Sequence, residues 1–555
     1  MQYARDPASL FTCVCAQRIR PNAYDTPPFS PAPFTDDTLP ADQQPATCRT
    51  GTGNNIDCGT LSLATRHYPY TDEMFNEYNM HSLFAHMEVR ATHSALASAR
   101  DNKRPFILTR SSFAGTGRYA AKWLGDNNAE FDDMKMSIPG LLTSSIFGFS
   151  MIGADICGFG APSDASIMEE LCARWMQLGA WYPFSRNHNA QNNPGHEPFR
   201  MGNVVLEASR QALTARMALT LYFYTLFHAA ATDGGTVARP LSFEFPDDTS
   251  TWDIDTQFMV GPAIMVSPAL ERGVERVEVY FPGGADGDSV LVSTVWYDYW
   301  TGKRVVVSPS RRLSVPAPLG LPMPVHIRGG QIVPRQVAGL TTATTVSGAI
   351  NLLVALPTND CGGTHGVAAA GSMYFDDGET ELSSALRSKV ALTTVWMLQE
   401  PCYHSKPRGF AITGAPTETA YADVPAISNI TVFGAECPPG TVTLSVDGAG
   451  GQLVNDVRWD AVLKIATIQV SVNALTRFQV DYTCGTWGHY TLQPTGLQPN
   501  TDTGLQADLK EHKQSHRNLM YTIVSDRLLV ITGRLWRTCA LTTAHLLPSL
   551  RCRWQ

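Results

Sequence analysis

The chain has 555 residues, 44% of them hydrophobic and 17% charged, with 44 Gly and 36 Pro, a composition that excludes a disordered, collagenous or coiled-coil protein. At roughly 150 residues per domain the length points to three or four domains, each able to bury its own core. The net charge of −8 and a pI near 6.0 lack the basic footprint that phosphate-backbone binding demands, so nucleic acid is a poor partner.

The opening, MQYARDPASL, has no apolar region of the kind a signal peptide needs, and no stretch approaches the ~18 uninterrupted apolar residues of a membrane span. Residues 20–60, rich in Pro, Asp, Thr and Gly, read as an ordered loop or a disordered insert. Cys13 with Cys15 and Cys48 with Cys58 fit disulfides in a secreted protein and free thiols otherwise. The remaining cysteines scatter singly without paired CxxC spacing, so no metal site is expected.

A helix is predicted from near Tyr78, where Met80, Leu83, Phe84, Met87 and Ala91 recur at three- and four-residue spacing. RPFILTRS from Arg104 and GFSMIGADI from Gly148 read as short buried strands separated by a loop and a helical stretch. A helix from Ile167 to Leu178, the polar run SRNHNA from Ser185, and a helix from Val204 to Ala231 follow. Up to about residue 245 this alternation implies parallel βα units. The texture then changes to short strands between Gly, Pro and Asp turns (VEVYFPG, VWYDYWTGK, MPVHIRGGQIVPR, NLLVALP, MYFDDGE), which predicts two β-sandwich-like units. The fold class is therefore α/β followed by all-β, and no domain is expected in residues 496–555.

A cleft built from βα loops collects the side chains that follow strand ends, here Arg110, Asp126, Asp155, Arg186 and His188. Carboxylates beside Trp and Phe are candidates for a raised pKa and general-acid work, because desolvation disfavours the charged form. Each residue also has a plainer reading. Asp126 in WLGDN suits a turn or a helix N-cap, Asp155 a loop-fixing hydrogen bond, and Arg186 with His188 a salt-bridging turn.

A nearly continuous series of motifs resembles glycoside hydrolase family 31, the α-glucosidases. It runs through EYNMHSLFAHMEVRATHSAL from Glu77, RPFILTRSSFAGTGRYAAKWLGDN, MIGADICGF, EELCARWMQLGAWYPFSRNHN, DTQFMVGPAIMVSP, WYDYWTG, PVHIRGG and YFDDGE. The resemblance implies the C-terminal portion of a (β/α)8 barrel in residues 1–255, a proximal β-sandwich in 256–338 and a distal one in 339–495. It implies Asp126 as general acid/base beside the sugar-contacting Trp123, and Arg110 and His188 as contacts to sugar hydroxyls and the nucleophile's surroundings. Asp155, Arg186 and Phe159 are implied as further pocket residues, with Phe159 against the leaving-group side. The implied substrate is an α-glucoside or oligosaccharide, no cofactor is needed, and the family's compartments are secreted, lysosomal or vacuolar, or the endoplasmic reticulum lumen.

A retaining glycosidase needs a second carboxylate about 5 Å from the acid/base to trap the oxocarbenium-like carbon. The family supplies it from a W-x-D-M-N-E motif, followed at once by a P-A-S-F-like segment. Aligning Pro7-Ala8-Ser9 on that segment puts Asp6 at the motif's Glu and Tyr3 where the nucleophile stands, so the chain is expected to begin just after it. Cys157 and Cys172 match cysteines that the family pairs as a disulfide, and Asn429-Ile-Thr431 fits an N-glycosylation sequon. Both of these point to an oxidising, outward compartment.

Overall fold

A computed structural model describes residues 66–67, 75–101, 103–283, 294–307, 310–357, 367–381, 386–397 and 409–485, with the backbone of two strands at 519–524 and 527–532. Tyr3, Asp6, the four N-terminal cysteines and the Pro-rich 20–60 segment lie outside these residues. Helix α1 (Phe84–Ala99) follows a turn of helix at Glu77–Met80 and leads to β1 (Leu108–Thr109). Then come β2 (Ala121–Trp123), α2 (Phe131–Ile146), β3 (Ile152–Gly153), β4 (Asp155–Ile156), α3 (Met168–Gly179) and β5 (Arg186–Asn187). Helices α4 (Asn203–Ala218) and α5 (Thr220–Thr232) close this half.

β1, β2 and β3 pair in parallel, as do β4 and β5, and only Ala154 separates β3 from β4. Sequential parallel strands with helices between them form an arc of a βα barrel, and all their C-terminal ends face one way. β1 is shorter than its apolar run, because Pro105 has no N–H to donate and the Arg104 N–H is taken by the Glu379 carbonyl at 2.7 Å. The helix expected from Val204 to Ala231 is two helices. They break at the fully buried Leu219, where the Thr220 hydroxyl donates to the Met217 carbonyl at 2.7 Å and competes with the helix bonds.

Helix α3 is fixed from both ends. Asp164 caps the turn before it through the Ser166 N–H at 2.8 Å. Buried Arg174 bonds Glu170 at 2.7 Å, one turn back, and the Ala317 carbonyl at 3.2 Å. The apolar face of α3 packs with Trp181, Tyr182 and α2 in the largest core cluster.

After α5 the chain is β-rich. β6 (Ala238–Arg239), β7 (Phe258–Val260), β8 (Ile264–Val266), β10 (Trp296–Asp298) and β12 (Val325–Arg328) form a sheet in the order β10-β12-β8-β7-β6. β9 (Arg276–Tyr280) pairs antiparallel with β11 (Arg312–Pro316). The strand period of two sorts residues between two cores: Phe258, Val260, Ile264 and Val266 face the barrel cluster, whereas Met259 and Met265 pack with Val279, Phe281 and Trp296.

An eleven-stranded mixed sheet follows, from β13 (Gln331–Gln336), β14 (Ile350–Ala355) and β15 (Val367–Phe375) to β23 (Phe478–Cys484). Its other strands are β16 (Ser388–Met397), β17 (Gly409–Thr419), β18 (Ala426–Phe433), β19 (Pro439–Val446), β20 (Gln452–Leu453), β21 (Val457–Asp460) and β22 (Ile465–Asn473). β13 and β14 continue the alternation, with Val333, Leu353 and Ala355 on the barrel cluster and Ile332, Leu352 and Val354 on the sheet's own core.

Cys437 and Cys484 form a disulfide 47 residues apart, a pair that single scattered cysteines gave no reason to expect. Asn429 stands on β18 between β14 and β22 with its Oδ1 buried, whereas a glycan acceptor belongs on a surface loop. In residues 490–555, a separate unit, the described part is an antiparallel hairpin of 519–524 with 527–532.

Candidate active site

The residues that follow the parallel strand ends come together. Arg110 leaves β1 and places Nη1 3.4 Å from Asp126 Oδ2, both side chains about half exposed at 58% and 48%. Gly125 makes that approach geometrically open. Its φ is +92°, and a Cβ there would sit 2.7 Å from Arg110 Nε. Lys122, one residue before Trp123, donates to the Arg110 carbonyl, and burial together with the Arg110 charge holds its amine below the ordinary lysine value.

Asp155, at the β4 end, is fully buried, and Arg186, directly opposite on β5, donates to its Oδ1 through Nε at 3.2 Å and through Nη2. Burial pushes the Asp155 carboxyl above the ordinary carboxylate range against the pull of Arg186 and His188. The Arg186 guanidinium lies 5.4 Å from the Trp123 ring and 5.6 Å from Phe184, so it is held between aromatic faces as well as by a carboxylate. Phe159 and His188 face each other with ring centroids 5.5 Å apart. All seven residues singled out from the sequence thus belong to one linked set.

Asn127 joins the two halves of that set. Its Nδ2 donates to the Asp155 carbonyl at 2.9 Å, its Oδ1 accepts from the Phe159 N–H at 3.1 Å, and its own carbonyl accepts from the Gly160 N–H at 2.8 Å. Sequence reasoning missed this residue although it adjoins Asp126 in WLGDN; an amide able to donate and accept at once was the available signal. Phe184, which stacks on Arg186, was also missed. The expected link between apolar surroundings and a raised carboxyl holds for buried Asp155, while Asp126 stands in the open.

Cys157 and Cys172 are joined by a disulfide that ties the loop after Asp155 to α3. Cys157 takes φ +73° and Gly158 φ +88°, and the turn they make aims Phe159 back over Asn127. Among the seven predicted site residues two buried polar atoms lack a hydrogen-bond partner within the described part of the chain, Asp155 Oδ2 and Trp123 Nε1. One is an acceptor and the other a donor, and a hydroxyl group satisfies either. The site therefore offers a carboxyl open to solvent, a buried ionic pair, aromatic faces and unsatisfied hydroxyl-binding atoms.

Several known proteins share this chain's sequence and fold. It is 38% identical over 417 residues to an α-glucosidase of Aspergillus oryzae, an alignment covering 75% of this chain and 38% of that protein. It is 43% identical over 309 residues to human intestinal sucrase-isomaltase, covering 55% of this chain and 16% of that protein. Among solved structures, the glucosidase II α subunit bound to Glc1Man2 superposes with a TM-score of 0.63 at 25% identity, over 76% of this chain and 44% of that one. The chain spans 38%, 35% and 34% of the length of three curated fungal relatives it matches. No helix among the described residues is long and apolar enough to cross a membrane. The glycosyl hydrolase family 31 TIM-barrel model matches residues 28–226 and the C-terminal-domain model of the same family matches 234–333, together over half the sequence, and the chain belongs to glycoside hydrolase family 31.

Proposed function

We propose that the protein is an α-glucosidase-type glycoside hydrolase that removes terminal, non-reducing α-linked glucose from maltose, malto-oligosaccharides or glycans with retention of configuration. The observation that carries this reading is the gathering of Arg110, Trp123, Asp126, Asp155, Phe159, Arg186 and His188 at one end of the parallel strands, with two buried atoms fit for hydroxyls. Asp126 donates its proton to the glycosidic oxygen and then takes one from water. Asp155, Arg186 and Trp123 hold the hydroxyls of the terminal sugar, and Arg110 and His188 add contacts at its rim. Phe159 closes the leaving-group side. In this family both chemical roles belong to side chains, so the reading calls for no cofactor. The same reading divides the chain into a barrel portion to about residue 255, a proximal β-domain to about 338 and a distal one to about 495.

A second reading rests on Tyr3, which aligns where the family's nucleophile stands: a protein that binds sugar, or a partner subunit, without cleaving. Azide separates the two readings because it replaces a missing carboxylate nucleophile. With 4-nitrophenyl α-glucoside, azide attacks C1 as nitrophenolate leaves, and the product is β-glucosyl azide. That product, or unaided hydrolysis, is the expected result. With maltose, a poorer leaving group that needs its acid, Asp126→Asn lowers turnover by about 10^2–10^4-fold. Binding of an iminosugar without any azide product selects the second reading, and neither binding nor product overturns both.

A further inference from the structure

At the other end of the parallel strands from Asp126 lies a cavity of about 680 Å3 that the proposed reaction leaves unused. Arg104 and Pro105 of its wall precede β1, and Arg118 and Tyr119 precede β2, so they stand at the N-terminal ends of strands whose C-terminal ends lead to Arg110 and Asp126. Helix α5 adds Phe227 and His228, and Tyr374 of β15 and Arg387, just before β16, complete the far side. The volume falls in the range of small organic ligands.

The bonding capacity this wall leaves unspent consists of donors. Arg104 gives Nη1 to the Tyr224 hydroxyl and Nη2 to Asp376, each at 2.9 Å, but its buried Nε has no partner among the described residues. His228 is 7% exposed and stacks on the Tyr374 ring with centroids 3.6 Å apart, and its Nε2 is likewise buried and unpartnered among the described residues. A neutral imidazole protonated at that nitrogen donates there. The Arg118 guanidinium lies 5.8 Å from the Tyr119 ring centroid and has no carboxylate partner among the described residues. We infer that this cavity binds a small organic oxyanion, a phosphate monoester or a carboxylate, whose head takes donors from Arg104, Arg118 and His228 and whose body lies among Tyr119, Phe227 and Ala231.

Charge supports an anionic guest. The wall carries the guanidiniums of Arg104, Arg118 and Arg387 and the carboxylate of Glu381. Arg104 also pairs with Asp376 at 2.9 Å and Arg387 with Glu418 at 2.7 Å, but a guanidinium has five N–H groups, so pairing offsets its charge without exhausting its donors. Burial, and after it the charges of Lys389 and Arg387, hold the His228 imidazole below the ordinary histidine value against Asp233 and Asp376, so it meets a ligand as a neutral donor in a field that favours negative charge. A planar guanidinium matches two oxygens of a phosphate or carboxylate at once. A neutral sugar brings donors as well as acceptors to a wall whose unmet atoms donate.

Calorimetry on the whole chain with phenyl phosphate, benzoate and inorganic phosphate tests this, whether or not the chain cleaves a glucoside. One equivalent of phenyl phosphate or benzoate is expected to bind, and the tighter of the two identifies the head as phosphate or carboxylate. Its affinity falls about tenfold or more in Arg118→Gln, and as much in His228→Phe, which keeps a ring against Tyr374 and removes the nitrogens. It stays as it was in Arg110→Gln, whose change lies at the other end of the strands. Binding of neither probe, equal affinity in the parent and either wall variant, or a weakening in Arg110→Gln overturns the inference. Inorganic phosphate binding as tightly as the better probe overturns it too, because the body then contributes nothing. Arg118 is exposed, so if His228→Phe does not fold, Arg118→Gln decides alone.

Discussion

The barrel arc and the eleven-stranded sheet use strands in opposite ways. Strands of the arc are two or three residues long, and their C-terminal ends lead into loops bearing ionisable or aromatic side chains. In the sheet, β16 and β17 run for 10 and 11 residues and pair antiparallel from Ser388 opposite Thr419 to Met397 opposite Gly409. Stability in the sheet comes from buried aromatic pairs such as Phe410 stacked on Tyr482 at 4.5 Å, whereas the arc gathers ionisable and aromatic side chains such as Asp155, Arg186 and Trp123 beyond its short strands. The difference teaches that long strands serve packing and short ones serve the loops they lead into, and that substitutions in the two regions have different readouts.

The sharpest break between the regions is Asp126→Asn. Loss of a positioned acid/base lowers turnover of maltose by about 10^2–10^4-fold, with thermal unfolding unchanged because the side chain is half exposed. Phe410→Ala does the reverse. Removing an aromatic ring that is 2% exposed costs about 3–5 kcal/mol in denaturant unfolding and leaves the affinity for an iminosugar as it was.

His326, on β12 against Phe281, gives the next effect. Burial, against the opposing influence of Asp298, pushes its pKa down from 6.5 to about 4, so it is neutral when folded. Its share of stability is therefore present above pH 6.5 and is lost as pH falls toward about 4, a total on the order of 3 kcal/mol. Unfolding free energies measured across that window flatten in His326→Phe; an unchanged slope contradicts the assignment.

Gly125→Ala is smaller and crosses the comparison. A non-glycine at φ +92° costs about 1–3 kcal/mol, and its methyl displaces Arg110, so sugar affinity drops with stability. At the bottom of the scale, Glu207→Gln on α4 breaks an exposed pair with Arg210 and moves stability by at most about 0.5 kcal/mol.

Legibility in the sequence followed the same division. The arc was readable because apolar runs alternate with helical spacing, and the family motifs named by number seven residues that the fold brings near the ends of its parallel strands. Leu219 and Pro105 show what escaped. A helix break depends on a threonine hydroxyl returning to a carbonyl, and a strand's true length depends on whether its neighbour or Glu379 receives the N–H. The sheet's order was unreadable because period-two patterning reveals which face is buried and carries no record of the partner strand. Asn127 escaped because its role lies in two simultaneous bonds to a loop some thirty residues away.

That double bond also bears on how the pocket can change. With donor and acceptor both committed to the Asp155–Phe159 loop, Asn127 has no spare orientation, and an aspartate of the same shape would set an oxygen against the Asp155 carbonyl. The Asp126 loop and the Asp155–Phe159 loop are thus locked together through backbone atoms. A change of the Phe159 side chain keeps its N–H and so keeps the lock, whereas a change at Asn127 releases the whole turn, so variation of this pocket belongs at position 159 with position 127 held fixed.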